Sequence, residues 1–167
     1  MEYKNKGLKQ IAEKFSINFH DIDDKFPTNL ETICESLDIC PEFAELRDGM
    51  SGYFDAHQKK IFVNKFYSAK RICFTIAHEL GHYTLGHGSG PRDEYKNYNK
   101  EQLANEYAAN NFAAELLMPN EAFTQFFQEN IKTKSEQSTF IEISKYFCVS
   151  EQAAKVRAFN LGLIDSL

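Results

Sequence analysis

The segment His78–His82 limits what this chain can fold into more than any other stretch of its sequence. It reads H-E-L-G-H, a match to H-E-x-x-H. The expected number of chance matches in a chain of this length and composition is on the order of 0.01. On a helix, residues four apart share one face, with Cβ atoms ~5–6 Å apart. Both imidazoles can then reach one ion at the Zn–N distance of ~2.0–2.1 Å. The segment therefore predicts a zinc site on a helix over about 68–86.

Glu79 is the predicted catalytic base of this motif. It follows the first histidine directly, so it is rotated away from the ligand face and can reach a metal-bound water without ligating the metal. Zinc lowers the pKa of a bound water from ~15.7 to ~7, and a neighbouring carboxylate can then take its proton as the water attacks a carbonyl. The motif therefore predicts peptide hydrolysis.

A catalytic zinc needs a third protein ligand and keeps its fourth position for water. The metzincin pattern requires a histidine six residues after the second ligand and a glycine at the third. This chain has Gly88 and Leu85 at those positions, which excludes that class. His87 is five residues beyond His82, where a continuing helix would point it away from the ligand face.

Glu106 is the favoured third ligand. It lies on a helix predicted over 100–118, and its face continues through the small residues Ala109 and Ala113 at helical spacing. Small residues there would let two helix backbones approach closely enough for the carboxylate to reach the metal. Two other acidic residues compete for this role, Glu94 and Glu101.

Two runs of the sequence together resemble the ImmA/IrrE family of zinc metallopeptidases. Residues 77–82 read AHELGH, and residues 106–119 read EYAANNFAAELLMP. The resemblance covers roughly residues 50–165. It implies one Zn²⁺ per chain, held by His78, His82 and Glu106, with Glu79 as the catalytic base.

The resemblance also bears on residues around the ligands. Family members commonly carry Asn or Asp at the position of Asn110, so we expect Asn110 to accept a hydrogen bond from a ligand histidine, the alternative being a packing role. Many relatives have a second Glu where this chain has Ala108. His87 could be structural or contribute to the active site. The candidates for holding the oxyanion or contacting the substrate are Tyr83, His87, Arg92, Tyr95 and Tyr98.

The predicted fold class is α+β, a mostly helical zincin-like domain formed by residues 1–167. A hairpin of residues 53–55 and 60–64 precedes the metal helix, and in similar peptidases a strand there pairs with the substrate. A capping box with Thr28 at the N-cap and Glu31 three residues later predicts a helix over 29–38. Helical runs near 120–130, 138–147 and 151–161 complete the chain.

Composition excludes several other classes of protein. The net charge is −5 and the pI about 5.6, so we do not expect a globally basic nucleic-acid binder. There is no apolar run of ~18 residues for a membrane span and no signal-peptide pattern, which predicts a cytoplasmic protein. An acidic run over 21–48 and a basic run over 59–71 are interpreted as solvated faces, or else as patches that guide a partner.

The cysteines form no C-x-x-C pair and are expected mostly to be small core residues. They are Cys34, Cys40, Cys73 and Cys148.

The resemblance implies a protein substrate, namely a helix-turn-helix transcriptional repressor encoded nearby. Its cleavage would derepress mobile-element, phage or stress genes in a bacterial host. A different function is also open, because residues 138–162 themselves resemble a helix-turn-helix unit. The chain would then be a zinc-containing DNA-binding or antitoxin-type regulator that acts by binding. Its second helix offers only Lys155 and Arg157 as basic residues, opposed by Glu151, so direct nucleic-acid binding is not the favoured interpretation.

Overall fold

The architecture is α+β and mostly helical, as predicted. The computed structural model describes residues 2–47, 49–88 and 98–167. Its elements in chain order are α1 (Lys6–Phe15), α2 (Leu30–Ser36), β1 (Cys40–Ala44), β2 (Gly52–Asp55), β3 (Lys60–Asn64), α3 (Ala69–Leu85), α4 (Lys100–Leu117), α5 (Asn120–Ile131), α6 (Glu136–Tyr146) and α7 (Glu151–Asn160). None of the described helices combines the length and apolar character that crossing a membrane requires.

The sheet has three strands in the order β1-β3-β2. The predicted hairpin is present, because β2 pairs antiparallel with β3. β1 was not predicted, and it pairs parallel with β3 along the opposite side. Its sequence, CPEFA, includes Pro41 and has no clear alternation of apolar and polar residues, so it carries little strand signal. Proline is tolerated here because β1 is an edge strand.

The acidic and basic runs of the sequence lie against each other around this sheet. Lys59 Nζ is 3.5 Å from Asp38 Oδ2, and Lys65 Nζ is 3.5 Å from Glu45 Oε2. Lys60 also forms an ion pair with Glu42. Exposed pairs of this kind stabilise a fold only slightly, but they neutralise each other's charge. This arrangement favours the interpretation as solvated faces over a patch that guides a partner.

The predicted capping box of α2 is wrong by one residue. Asn29 is the N-cap, and its side chain accepts a hydrogen bond of 3.0 Å from the Thr32 amide. Thr28 is buried, and its hydroxyl donates instead to the Leu116 carbonyl at 2.9 Å. The Thr28 side chain, which the local pattern assigned to the cap, thus makes a tertiary contact with α4 instead.

The N-terminal helix packs directly on α4, although it precedes the part of the chain that carries the resemblance. The Asn5 side chain caps α1 and also donates to the Leu116 carbonyl at 2.8 Å. A Cβ atom placed on Gly7 would lie 2.9 Å from Leu116 Cα. Only glycine allows the two backbones to approach this closely.

Helix α3 contacts both the sheet and α4. Ser68 caps its N-terminus by accepting from the Arg71 amide. Its buried residues Ile76, Ala77 and Leu80 join a core that includes Phe54, Ile61 and Val63 from the inner face of the sheet. Helix α3 also packs against α4, and the side chains of residues 78 and 82 are directed towards Glu106 of that helix.

Candidate metal centre

Three side chains from α3 and α4 converge on one point. His78 Nε2 and His82 Nε2 are 2.9 Å apart. Glu106 places Oε2 at 3.2 Å from His78 Nε2 and Oε1 at 3.2 Å from His82 Nε2. Among the described residues, these three form the group of His, Cys, Asp or Glu side chains that could hold a metal ion.

The donor atoms fit a catalytic zinc. Ligands at ~2.0–2.1 Å in a tetrahedron lie ~3.3 Å from one another, close to the spacings seen here. Two imidazoles and one carboxylate are a known ligand set of catalytic zinc, and three protein ligands leave a position for water. His82 is 0% exposed and Glu106 6% exposed, so the ligand atoms are largely shielded from solvent.

The close approach of α3 and α4 brings the carboxylate to the histidines. A Cβ atom on Gly81 would lie 3.0 Å from Phe112 Cδ1 and 3.2 Å from the Ala109 carbonyl oxygen. Glycine in α3 and alanine in α4 therefore remove the side-chain bulk that would separate the helices. The sequence argument that small residues permit this contact is supported by the geometry.

Glu106 is in the position that the sequence analysis favoured. Its competitor Glu101 is exposed in the first turn of α4, and Glu94 lies outside the described residues. Burial raises the pKa of Glu106, but hydrogen bonds from His78 and His82 outweigh burial and hold the pKa well below its usual value. The carboxylate is therefore ionised at neutral pH, as metal binding requires.

Asn110 lies one turn beyond Glu106 and contacts the first histidine. Its Oδ1 is 2.9 Å from His78 Nδ1. An amide oxygen only accepts hydrogen bonds, so Nδ1 of His78 carries the proton. Nε2 is therefore the atom that would ligate a metal, and in the metal-free protein it faces Oε2 of Glu106.

His87 is not part of the cluster of ligand atoms, but it contacts His82 from the side of Nδ1 because the helix does not continue to it. Helix α3 ends at Leu85, and Gly86 adopts the left-handed conformation with φ 76°. The chain turns back, the His87 amide donates to the His82 carbonyl at 3.0 Å, and the two Nδ1 atoms lie 3.1 Å apart. Glycine at this position is a helix-ending signal in the sequence, so the turn could have been predicted.

The remaining candidates are distributed differently. Glu79 is 4% exposed on α3, next to His78. The Tyr83 ring stacks on Phe15 and packs against Phe54, so its ring contacts are with α1 and β2. Tyr98 directly precedes the N-cap of α4. Arg92 and Tyr95 lie outside the described residues.

Replacing Asn110 by alanine should weaken zinc binding by about 10–100-fold, because the loss of an orienting partner lets the ligand imidazole rotate. Competition with a chromophoric chelator measures this affinity. Asn111→Ala is the matched control, since Asn111 is the neighbouring residue and is exposed. Equal affinity in the two variants would mean that Asn110 has only a packing role.

A helix-borne His-His-Glu cluster beside a small sheet defines a metallopeptidase-like class of protein. The family described as Peptidase M78, IrrE N-terminal-like domain, matches residues 34–159, and the chain belongs to this family. This confirms the resemblance that the two sequence runs indicated.

The fold is similar to that of a solved structure. That structure is of a Mycobacterium tuberculosis transcriptional regulator, similar with a TM-score of 0.58 and 15% identity over 92% of this chain. This chain spans 45% of the length of that protein. No curated protein matches.

Proposed function

We propose that this chain is a zinc-dependent endopeptidase. The observation that carries the proposal is the convergence of three side chains at 2.9–3.2 Å: His78 and His82 lie on α3, the helix that also bears Glu79, and Glu106 reaches them from α4. A structural zinc site is closed by four protein ligands, whereas a site of three, as found among the described residues, keeps a position for water and substrate. Membership of a peptidase family agrees with the open kind of site.

Each residue of the site has a distinct task in hydrolysis. Zinc, when bound, would lower the pKa of a water molecule and polarise the scissile carbonyl. Glu79 takes the proton from the attacking water and passes it to the leaving amine. His78 and His82 are held in their ligand orientation by Asn110 and His87.

The sheet offers a place for an extended substrate. β2 is an edge strand in the order β1-β3-β2, and it packs against α3. An extended peptide can add to such an edge through main-chain hydrogen bonds. Substrate bound there would run beside the helix that carries the site.

The proposed substrate is a helix-turn-helix repressor encoded near this gene and cleaved in the cytoplasm. The resemblance to ImmA/IrrE peptidases implies this substrate class. The net charge of −5 is complementary to a basic DNA-binding protein, and complementary charge speeds encounter.

The geometry of the last two helices argues against DNA binding by this chain. Arg157 on α7 forms an ion pair with Glu115 and donates from Nε to the Met118 carbonyl at 3.0 Å. Lys155 Nζ lies 5.7 Å from the centre of the Phe140 ring. The two basic residues of the second helix are therefore engaged within the fold.

The test is to incubate the purified chain and zinc with the repressor encoded beside it. We expect defined fragments, loss of cleavage with a chelator and recovery when zinc is returned. Stable binding without fragments would instead support a regulator that acts by binding. A salt-dependent shift of duplex DNA by this chain alone would support the DNA-binding alternative.

A further inference from the structure

Two thiols meet at a junction away from the metal centre. Cys73 lies on α3 and Cys148 in the turn between α6 and α7, and their Sγ atoms are 3.7 Å apart across 75 positions of sequence. The expectation that the cysteines mostly fill the core holds for Cys34, which is buried. Cys73 and Cys148 are only half-buried, and Cys40 is exposed.

The backbone at Cys148 is unusual for a cysteine. Its φ is 54°, in the left-handed region, and the following amide, of Val149, donates to the Ser144 carbonyl at 3.2 Å. This is the C-terminal turn of α6, where glycine or asparagine is the common residue because other side chains are strained. Cysteine is therefore an unfavourable residue for the backbone conformation at position 148.

Cys73 and Cys148 both line one cavity. Its volume is about 400 Å³, and Leu30 and Leu117 line it as well. A peroxide is much smaller than this space. Neither thiol is enclosed in the core, in contrast with Cys34.

We propose that Cys73 and Cys148 are an oxidation site, at which a peroxide converts the two thiols into an intramolecular disulfide. A disulfide has an S–S bond of ~2.05 Å, so the sulfurs must approach each other by about 1.7 Å. Rotation of the two side chains, at a turn and at a helix surface, supplies motion of this size.

The reaction balances with one hydrogen peroxide. One thiolate attacks a peroxide oxygen, an S–O bond forms and the O–O bond breaks, which gives a sulfenic acid. The hydroxide that leaves takes up a proton and becomes the first water. The second thiolate attacks that sulfur, an S–S bond forms, the S–O bond breaks, and a second water is produced. Two thiols lose two electrons in total, and the peroxide gains them.

Oxidation should be slow at neutral pH. Burial is the larger cause and the adjacent Cys148 the smaller one of a rise in the pKa of Cys73 to about 11. The attacking species is the thiolate, and little of it is present near pH 7. The pair should therefore respond to sustained peroxide rather than to a brief exposure.

The disulfide would fasten the metal-bearing helix to the C-terminal helix pair. In the reduced protein, Lys70 Nζ already donates to Ser144 Oγ at 2.6 Å between the same two parts. A covalent bond between them closes a long loop and restricts the unfolded chain. We expect the melting temperature to rise by about 5–10 °C.

The experiment treats the full chain carrying Cys40→Ser with hydrogen peroxide, since this substitution removes the exposed thiol that could join two molecules. Peptide mapping without reductant should show Cys73 linked to Cys148, with an intact-mass loss of about 2 Da. A reductant should reverse both the mass change and the gain in melting temperature.

Cys148→Asn is the matched variant, because asparagine suits the left-handed turn and should preserve folding. It should lose both the cross-link and the rise in melting temperature. A bond between Cys34 and another residue would overturn the proposal. So would separate overoxidation of Cys73 and Cys148 without a bond between them, or a cross-link that persists in Cys148→Asn.

Discussion

Glu79→Gln should retain zinc and lose about 10²–10⁴-fold in the rate of peptide cleavage, the range over which a general base contributes. Glutamine has nearly the same shape as glutamate, so the buried position next to His78 stays filled. It has no basic oxygen that can take a proton from the attacking water. Binding of metal and substrate should remain while the chemical step is lost.

Three measurements separate this outcome from a folding defect. Metal analysis should give one zinc per chain in the variant, and its melting temperature should remain near that of the wild type. A single-turnover assay with the repressor should show bound but uncleaved substrate. Turnover at the wild-type rate by the zinc-loaded variant would refute the assignment of Glu79 as the base.

The sequence predicted the elements of the site better than their surroundings. The ligand positions follow from helical periodicity. The spacing of four residues places residues 78 and 82 on one face of α3, and the same periodicity places Glu106 on the small-residue face of α4. Gly81 and Ala109 then bring the helices into contact. The contact between α3 and α4 was predictable because the small residues that appear in the local sequence pattern are also the ones that the packing of the two helices requires.

Three features could not be predicted, for different reasons. β1 exists because β3 offers a partner, and its own sequence shows little strand pattern. Asn29 caps α2 because Thr28 is used in a contact with Leu116 that lies far away in sequence. The meeting of Cys73 with Cys148 likewise depends on how α3 packs beside the α6–α7 turn. Each of these depends on long-range contacts, which spacing along the chain does not record.

Glu106→Ala should reduce zinc affinity by more than about 100-fold, since the loss of a direct ligand should exceed the 10–100-fold typical of an orienting partner. Glu101→Ala is the matched control, because Glu101 lies on the same helix but is exposed. Competition with a chromophoric chelator measures both variants. Unchanged affinity in Glu106→Ala together with a loss in Glu94→Ala would move the third ligand to Glu94.

The metal-free protein provides an independent readout of the same residue. The pKa of Glu106 is lowered in the folded state by His78 and His82, against the effect of burial. A carboxyl group whose pKa falls on folding stabilises the protein above its unfolded pKa of ~4.3, and this contribution disappears as the pH falls through the folded value. Metal-free Glu106→Ala should therefore be less stable than the wild type at pH 7, and the difference should shrink in strong acid. Denaturant unfolding in the presence of a chelator measures this difference. A gap that is constant with pH would show that the two histidines do not lower the pKa of Glu106 in the metal-free protein.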